Sequence, residues 1–162
     1  MKSRLGLITA LTLTQSFILL PQVRAEGEDI CPNNVCCVTS SEPGTLAVSG
    51  NQPYKFSSNS GSDSLPATIS VYCEKTAKLT IGEPSPKKVP PFNPEARLEA
   101  STKKTDDETF ANFSDGSSIV LPAKRTTVLK VNMSVSQNTP FRAGHYQYSV
   151  KLNFEEDVNP SP

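Results

Sequence analysis

Two stretches near the end of the chain leave little choice of secondary structure. Residues 126–135 alternate Thr127, Leu129, Val131, Met133 and Val135 with Val128, Lys130, Asn132 and Ser134, and residues 143–154 alternate Tyr146, Tyr148, Val150, Leu152 and Phe154 with Gln147, Ser149, Lys151 and Asn153. Successive side chains leave a strand on opposite sides, so a period of two marks a strand with one face in a core. Residues 67–73 repeat the pattern, with Ile69, Val71 and Cys73 on one side and Thr68, Ser70 and Tyr72 on the other. Shorter apolar runs at 45–48, 53–56, 76–81 and 117–121 are separated by Ser, Asn, Gly and Pro, which read as turns. The runs 67–73 and 76–81, joined across Glu74 and Lys75, suggest a hairpin. About eight short strands with almost no helical period imply an all-β chain folded as a two-sheet β-sandwich.

Between these runs the chain offers weaker signals. Residues 82–94 contain Pro84, Pro86, Pro90, Pro91 and Pro94, which remove backbone donors from any central strand and imply an extended surface loop. Residues 95–101 are the one stretch with helical character, too short and uncapped to stand as a helix. Residues 102–108 are polar, and Asp106, Asp107 and Glu108 read as a solvated loop, since a calcium site needs a regular ligand spacing that they lack. Residues 155–162, with Glu155, Glu156, Asp157, Pro160 and Pro162, form a polar tail.

The start of the chain has the order of a secretory leader. Lys2 and Arg4 precede an apolar run over 5–20, then Pro21 and the small-residue site Val23-Arg24-Ala25. Cleavage between Ala25 and Glu26 is the expectation. A membrane span needs about 20 predominantly apolar residues, and this run is interrupted by Thr9, Thr12, Thr14, Gln15 and Ser16. Residues 26–162 then form one domain, with a cysteine-rich segment at 26–43, and the protein is secreted or periplasmic. Of the 16 basic residues, Lys2, Arg4 and Arg24 leave with the leader, so the 16 acidic residues predominate. No basic face for nucleic acid is implied. All four cysteines, Cys31, Cys36, Cys37 and Cys73, lie beyond the leader, and an even number in an exported chain favours disulfides.

Groups for catalysis are sparse. The single histidine, His145, sits beside Gly144 ahead of the last strand, and no phosphate-binding glycine loop, zinc-protease histidine pair or nucleophile elbow occurs. Zinc would need paired Cys or His ligands that the spacing does not supply. We expect no catalysis, no cofactor and no metal. Asn112-Phe113-Ser114 and Asn132-Met133-Ser134 match the glycosylation sequon, a motif short enough to arise by chance.

Three places resemble the spore coat protein U-like branch of chaperone-usher pilus subunits. These are Cys37-Val38-Thr39-Ser40 followed by Gly44-Thr45-Leu46, then Ile69-Ser70-Val71-Tyr72-Cys73, and the ending Ala143-Gly144-His145-Tyr146-Gln147-Tyr148-Ser149-Val150. The resemblance implies an immunoglobulin-like sandwich that lacks its final strand. It implies a disulfide from Cys37 to Cys73, leaving Cys31 to Cys36; the alternative of Cys31 to Cys37 with Cys36 to Cys73 stays open. It also implies partners, a periplasmic chaperone and usher-type assembly proteins or neighbouring subunits, which supply the missing strand by β-strand addition. Tyr146, Tyr148, Val150, Leu152 and Phe154 would form the core face of the terminal strand. The chain departs from the family at its start, where Glu26-Gly27-Glu28-Asp29-Ile30 makes a poor donor strand. A strand-accepting, non-catalytic structural or adhesive subunit of a pilus-like or coat-like cell-surface assembly is the leading expectation. The alternative is a self-contained secreted or periplasmic binding module for a sugar or small ligand, and a secreted hydrolase is the weakest reading.

Overall fold

The computed structural model describes residues 15–20, 35–49, 52–60, 63–89, 96–107, 109–142 and 145–158. In chain order its strands are β1 (Gln15–Leu20), β2 (Cys36–Glu42), β3 (Gly44–Ser49), β4 (Gln52–Ser57), β5 (Ala67–Cys73), β6 (Ala77–Ile81), β7 (Ser85–Lys88), β8 (Arg97–Lys104), β9 (Phe110–Asn112), β10 (Ser118–Leu121), β11 (Arg125–Ser136) and β12 (Gln147–Glu156). No helix occurs among the described residues. The long strands β11 and β12 fall where the two strong alternations are, because each presents an unbroken apolar face.

The strands form two antiparallel sheets. In one, β2 pairs with β5, β5 with β11, β11 with β8, and β8 with β9. In the other, β10 pairs with β6 and β6 with β12, while β7 pairs further along β12. Residues at alternate positions meet between the sheets: Val71, Leu129, Val131, Met133 and Val135 from the first, and Leu79, Ile119, Leu121, Val150 and Phe154 from the second, all buried. Leu79 and Leu129 have no exposed surface, so truncating either leaves a cavity. Leu79→Ala should cost about 2–5 kcal/mol in urea unfolding, with an unchanged denaturant slope.

The expected hairpin is absent. The runs at 67–73 and 76–81 are both strands, but β5 pairs with β2 and β11 whereas β6 pairs with β10 and β12. The short link through Glu74 crosses from one sheet to the other, and both strands need a buried face: β5 buries Ala67, Ile69, Val71 and Cys73, and β6 buries Ala77, Leu79 and Ile81. Period alone cannot separate such a crossing from a hairpin.

Two segments read as loops contain strands. Within 82–94, β7 pairs Ser85 and Pro86 with Ser149 and Tyr148 across an irregular register. Pro86 is tolerated because β7 is a four-residue edge strand with mostly exposed side chains. Residues 90–95 lie outside the described set. Of the stretch 95–101, the described residues 96–101 are not helical; Arg97–Lys104 form β8, fully paired with β11. Thr102, placed in the solvated loop by its polarity, has no exposed surface, and its hydroxyl donates to the Lys130 carbonyl at 3.3 Å. A buried hydroxyl with such a partner behaves as a β-branched core residue.

The disulfide to Cys73 comes from Cys36, not Cys37: Cys36 stands opposite Cys73 in the β2–β5 register, with Cα atoms 4.0 Å apart. Alternation decides it. Cys73 shares the buried face of β5 with Val71, and Cys36 shares the buried face of β2 with Val38, whereas Cys37 points to the other side and is half-buried. Cys37 is itself disulfide-bonded. The expected role of Cys31 falls outside the described residues, as does the expected cleavage site at Ala25 and Glu26.

Candidate strand-acceptor groove

The last strand, β12, has a different neighbour on each side. Along one side run β6 and β7. On the other lies β1, from the segment read as leader, which pairs in parallel with β12: Ile18 opposite Ser149, Leu19 opposite Val150 and Leu20 opposite Lys151. The far side of β1 pairs antiparallel with β3, with Gln15 opposite Leu46, Ser16 opposite Thr45 and Phe17 opposite Gly44. β3 then pairs with β4, and β4 with the end of β11.

This makes β1 the seam of the sandwich. The hydrogen-bonded order runs β12, β1, β3, β4, β11, so among the described strands β1 alone joins β12 to β3 along that edge. Parallel neighbours cannot be joined by a tight turn and need a long crossover; here the chain between the partners includes nearly the whole domain. β1 is therefore an inserted strand, structurally separable from what it closes.

The groove that it fills is apolar where a strand would need it to be. Tyr148, Val150, Leu152 and Phe154 are all buried along β12, as are Tyr146 just ahead of it and Leu46 on β3. Register positions 15 and 19 stand opposite the core residues Leu46 and Val150, so positions two apart on a strand in this slot share the face of these core residues. Without an occupant, β12 and β3 would present unpaired backbone groups beside exposed apolar surface, the arrangement that templates aggregation.

Aromatic packing fixes one end of the groove. Phe56 on β4 lies 4.0 Å from Phe141 between ring centroids, and Tyr146 meets Phe141 edge-on at 5.5 Å. The Tyr146 hydroxyl donates to the Arg142 carbonyl at 2.9 Å, tying the chain before β12 to the cluster, and burial raises its pKa. Tyr148 is 1% exposed and its hydroxyl has no hydrogen-bond partner among the described residues; burial drives its pKa well above the ordinary phenol value. An unsatisfied buried hydroxyl costs about 1–3 kcal/mol. Tyr148→Phe should therefore unfold at equal or higher denaturant concentration than the parent chain, read by urea titration.

The remaining candidates from the sequence are dispersed. His145 is exposed ahead of β12. Asp106 pairs with Arg125 at 3.2 Å. Asp107 accepts the Thr109 backbone N–H at 2.8 Å and pairs with the Lys104 ammonium at 3.0 Å. Hydrogen bonds from Thr109 chiefly, then Lys104, lower its pKa to about 2. Because the folded value lies below the unfolded one, the turn's stabilisation is complete above the usual carboxylate range and is lost as pH falls through the folded value. The Thr109 amide signal should titrate with a midpoint near 2, measured by NMR. Among the described residues, no group of three His, Cys, Asp or Glu side chains could hold a metal ion, and no helix is long and apolar enough to cross a membrane.

No known family model, curated protein or solved structure matches this chain. The groove is thus read from its own geometry. Sequence reasoning reached the β12 side through its alternation but missed Leu46 and Gly44 on β3 as the opposite wall, because nothing in a short strand discloses its neighbour. It also missed β1, whose Phe17-Ile18-Leu19-Leu20 is continuous rather than alternating.

Proposed function

We propose that the chain is an exported, non-catalytic structural or adhesive subunit of a pilus-like or coat-like cell-surface assembly. On this reading its sandwich is immunoglobulin-like and, once residues 1–25 are removed, open between β12 and β3; a chaperone or neighbouring subunit closes it by adding a strand. The observation that supports this most is the insertion of β1, parallel to β12 and antiparallel to β3, at the seam of the two sheets. Such a slot suits β-strand addition, in which main-chain hydrogen bonds supply affinity and pockets for alternate side chains supply specificity. The resemblance of the residues around Cys37, Cys73 and Tyr146 to the spore coat protein U-like branch agrees with the same role.

The partner class follows from the groove: a protein that presents an extended segment with apolar residues two apart. Size-exclusion chromatography of oxidised residues 26–162, alone and with a pilus-type periplasmic chaperone, tests it. The expected result is self-association alone and a one-to-one complex with the chaperone. A monodisperse, stable monomer that forms no complex would remove the reading.

A further inference from the structure

The outer face of the β5–β11–β8–β9 sheet holds a second feature, independent of the strand-accepting groove. Cross-strand register arranges its residues in rows. Ser134 stands between Ser57 and Glu99. Asn132 stands opposite Ser101, which stands opposite Asn112. Lys130 stands opposite Lys103, and Lys103 opposite Phe110. The alternate residues of these strands, Met133, Val131, Ala100, Thr102 and Ala111, are buried, so the rows lie on the solvent side.

Polar outer faces are ordinary; the shape and chemistry of this one are not. Its central rows are filled by Ser and Asn rather than long charged side chains, leaving a cleft of about 400 Å³. Asn59 and Ser60 of the β4–β5 connection wall one side and Ser114 of the β9–β10 turn the other. A neighbouring cleft of about 480 Å³ shares Asn59 and Asn132 and runs on to Lys130. Phe110, two residues before Asn112 on β9 and beyond the lining of both clefts, is 58% exposed, an aromatic ring held at the sheet edge.

We propose that this face binds a short, neutral saccharide chain, with one sugar ring against Phe110 and the hydroxyls of the following rings on Ser101, Asn112, Asn132 and Glu99. A sugar hydroxyl both donates and accepts, and each Asn amide offers both functions while a carboxylate accepts twice. The apolar C–H face of a pyranose matches an exposed aromatic ring, which supplies contact area at a low cost in conformational freedom. The polar groups are already oriented. The Ser134 hydroxyl donates to Glu99 at 3.2 Å, the Asn112 amide donates to Asp115 at 3.3 Å, and the Ser58 hydroxyl donates to Asn132 at 3.5 Å. Lys55 balances Glu99 in the first cleft, and in the second Lys103, Lys104 and Lys130 stand with Asp106 and Asp107, so neither cleft gathers the positive charge that a polyanion would need.

The test uses the oxidised full chain, isotope-labelled, titrated with neutral tri- to pentasaccharides of glucose, mannose, galactose and N-acetylglucosamine. At least one series should shift the Ser101, Asn112 and Asn132 amide signals saturably. Phe110→Ala and Asn132→Ala should each weaken that binding roughly tenfold or more, while Val120→Ala, exposed on the other sheet, leaves it unchanged. The proposal is overturned if none of the four series shifts these amides saturably, if the shifts map to another face, or if the Phe110→Ala chain binds as tightly as the parent. Phe110 is exposed, so its loss does not threaten folding, and the Val120 variant reports any general effect of surface truncation.

Discussion

Residues 26–162 alone will be far less stable than the full chain. Taking away β1 removes a six-residue strand from between two neighbours and exposes part of the β12 core face. Apolar side chains are worth about 1.5–3 kcal/mol each when fully buried, so uncovering Leu46 and Val150, the core residues opposite β1, should cost about 3–6 kcal/mol. Domains of this size hold only about 5–15 kcal/mol in total. The truncated chain should thus sit near the limit of folding and associate on warming. Register supplies an internal control within the full chain: Leu19 stands opposite the core residue Val150, and Leu20 opposite the exposed Lys151. Leu19→Asp should reproduce most of the loss and Leu20→Asp little of it, both read from urea midpoints. Equal stability of the long and short chains would mean that β1 closes nothing.

The second large effect concerns the crosslink. Cys36 and Cys73 are separated by 37 positions and both buried. Closing a loop of that length should stabilise by about 4 kcal/mol through the unfolded chain, so Cys36→Ser should lower stability by about that amount in urea unfolding. Cys37→Ser should cost less, because Cys37 lies off the β2–β5 pairing that faces the core. Peptide mapping of the oxidised Cys37→Ser chain should still recover the Cys36–Cys73 bond. A larger loss from Cys37→Ser, or recovery of a Cys37–Cys73 peptide from the parent chain, would reverse the assignment.

The contrast between these two cysteines shows where a one-chain reading succeeds and fails. Strand faces were legible wherever the run was long: Leu129 to Val135 and Tyr146 to Phe154 have a core face because alternation has only one consistent phase over such lengths. Partners were not legible. Nothing local to 67–73 or 76–81 tells that they lie in different sheets, and a turn as short as Glu74–Lys75 suits either arrangement. The Cys36 pairing was within reach, since Cys73 shares a face with Val71 and only Cys36, not Cys37, shares one with Val38; the resemblance pointed to the other residue. Composition misled at Thr102 and around Pro86, where a single hydrogen bond or an edge position reconciles a polar or proline residue with a strand. The groove needed all of this at once, since its walls come from β3 and β12, about a hundred residues apart in the chain. The polar furrow was equally hidden, because Asn112, Asn132 and Phe110 converge only through the β8 register.

The most direct test is thermal unfolding of oxidised residues 26–162 with increasing amounts of a synthetic peptide spanning residues 13–22, beside a scrambled peptide of the same composition. A ligand that binds only the folded form stabilises it by mass action, about 2.7 kcal/mol at a hundredfold excess over its dissociation constant. An open groove predicts a midpoint that climbs with the native-order peptide and stays fixed with the scrambled one. A chain that is already stable, and that neither peptide moves, would contradict the strand-accepting account and leave a closed sandwich in its place.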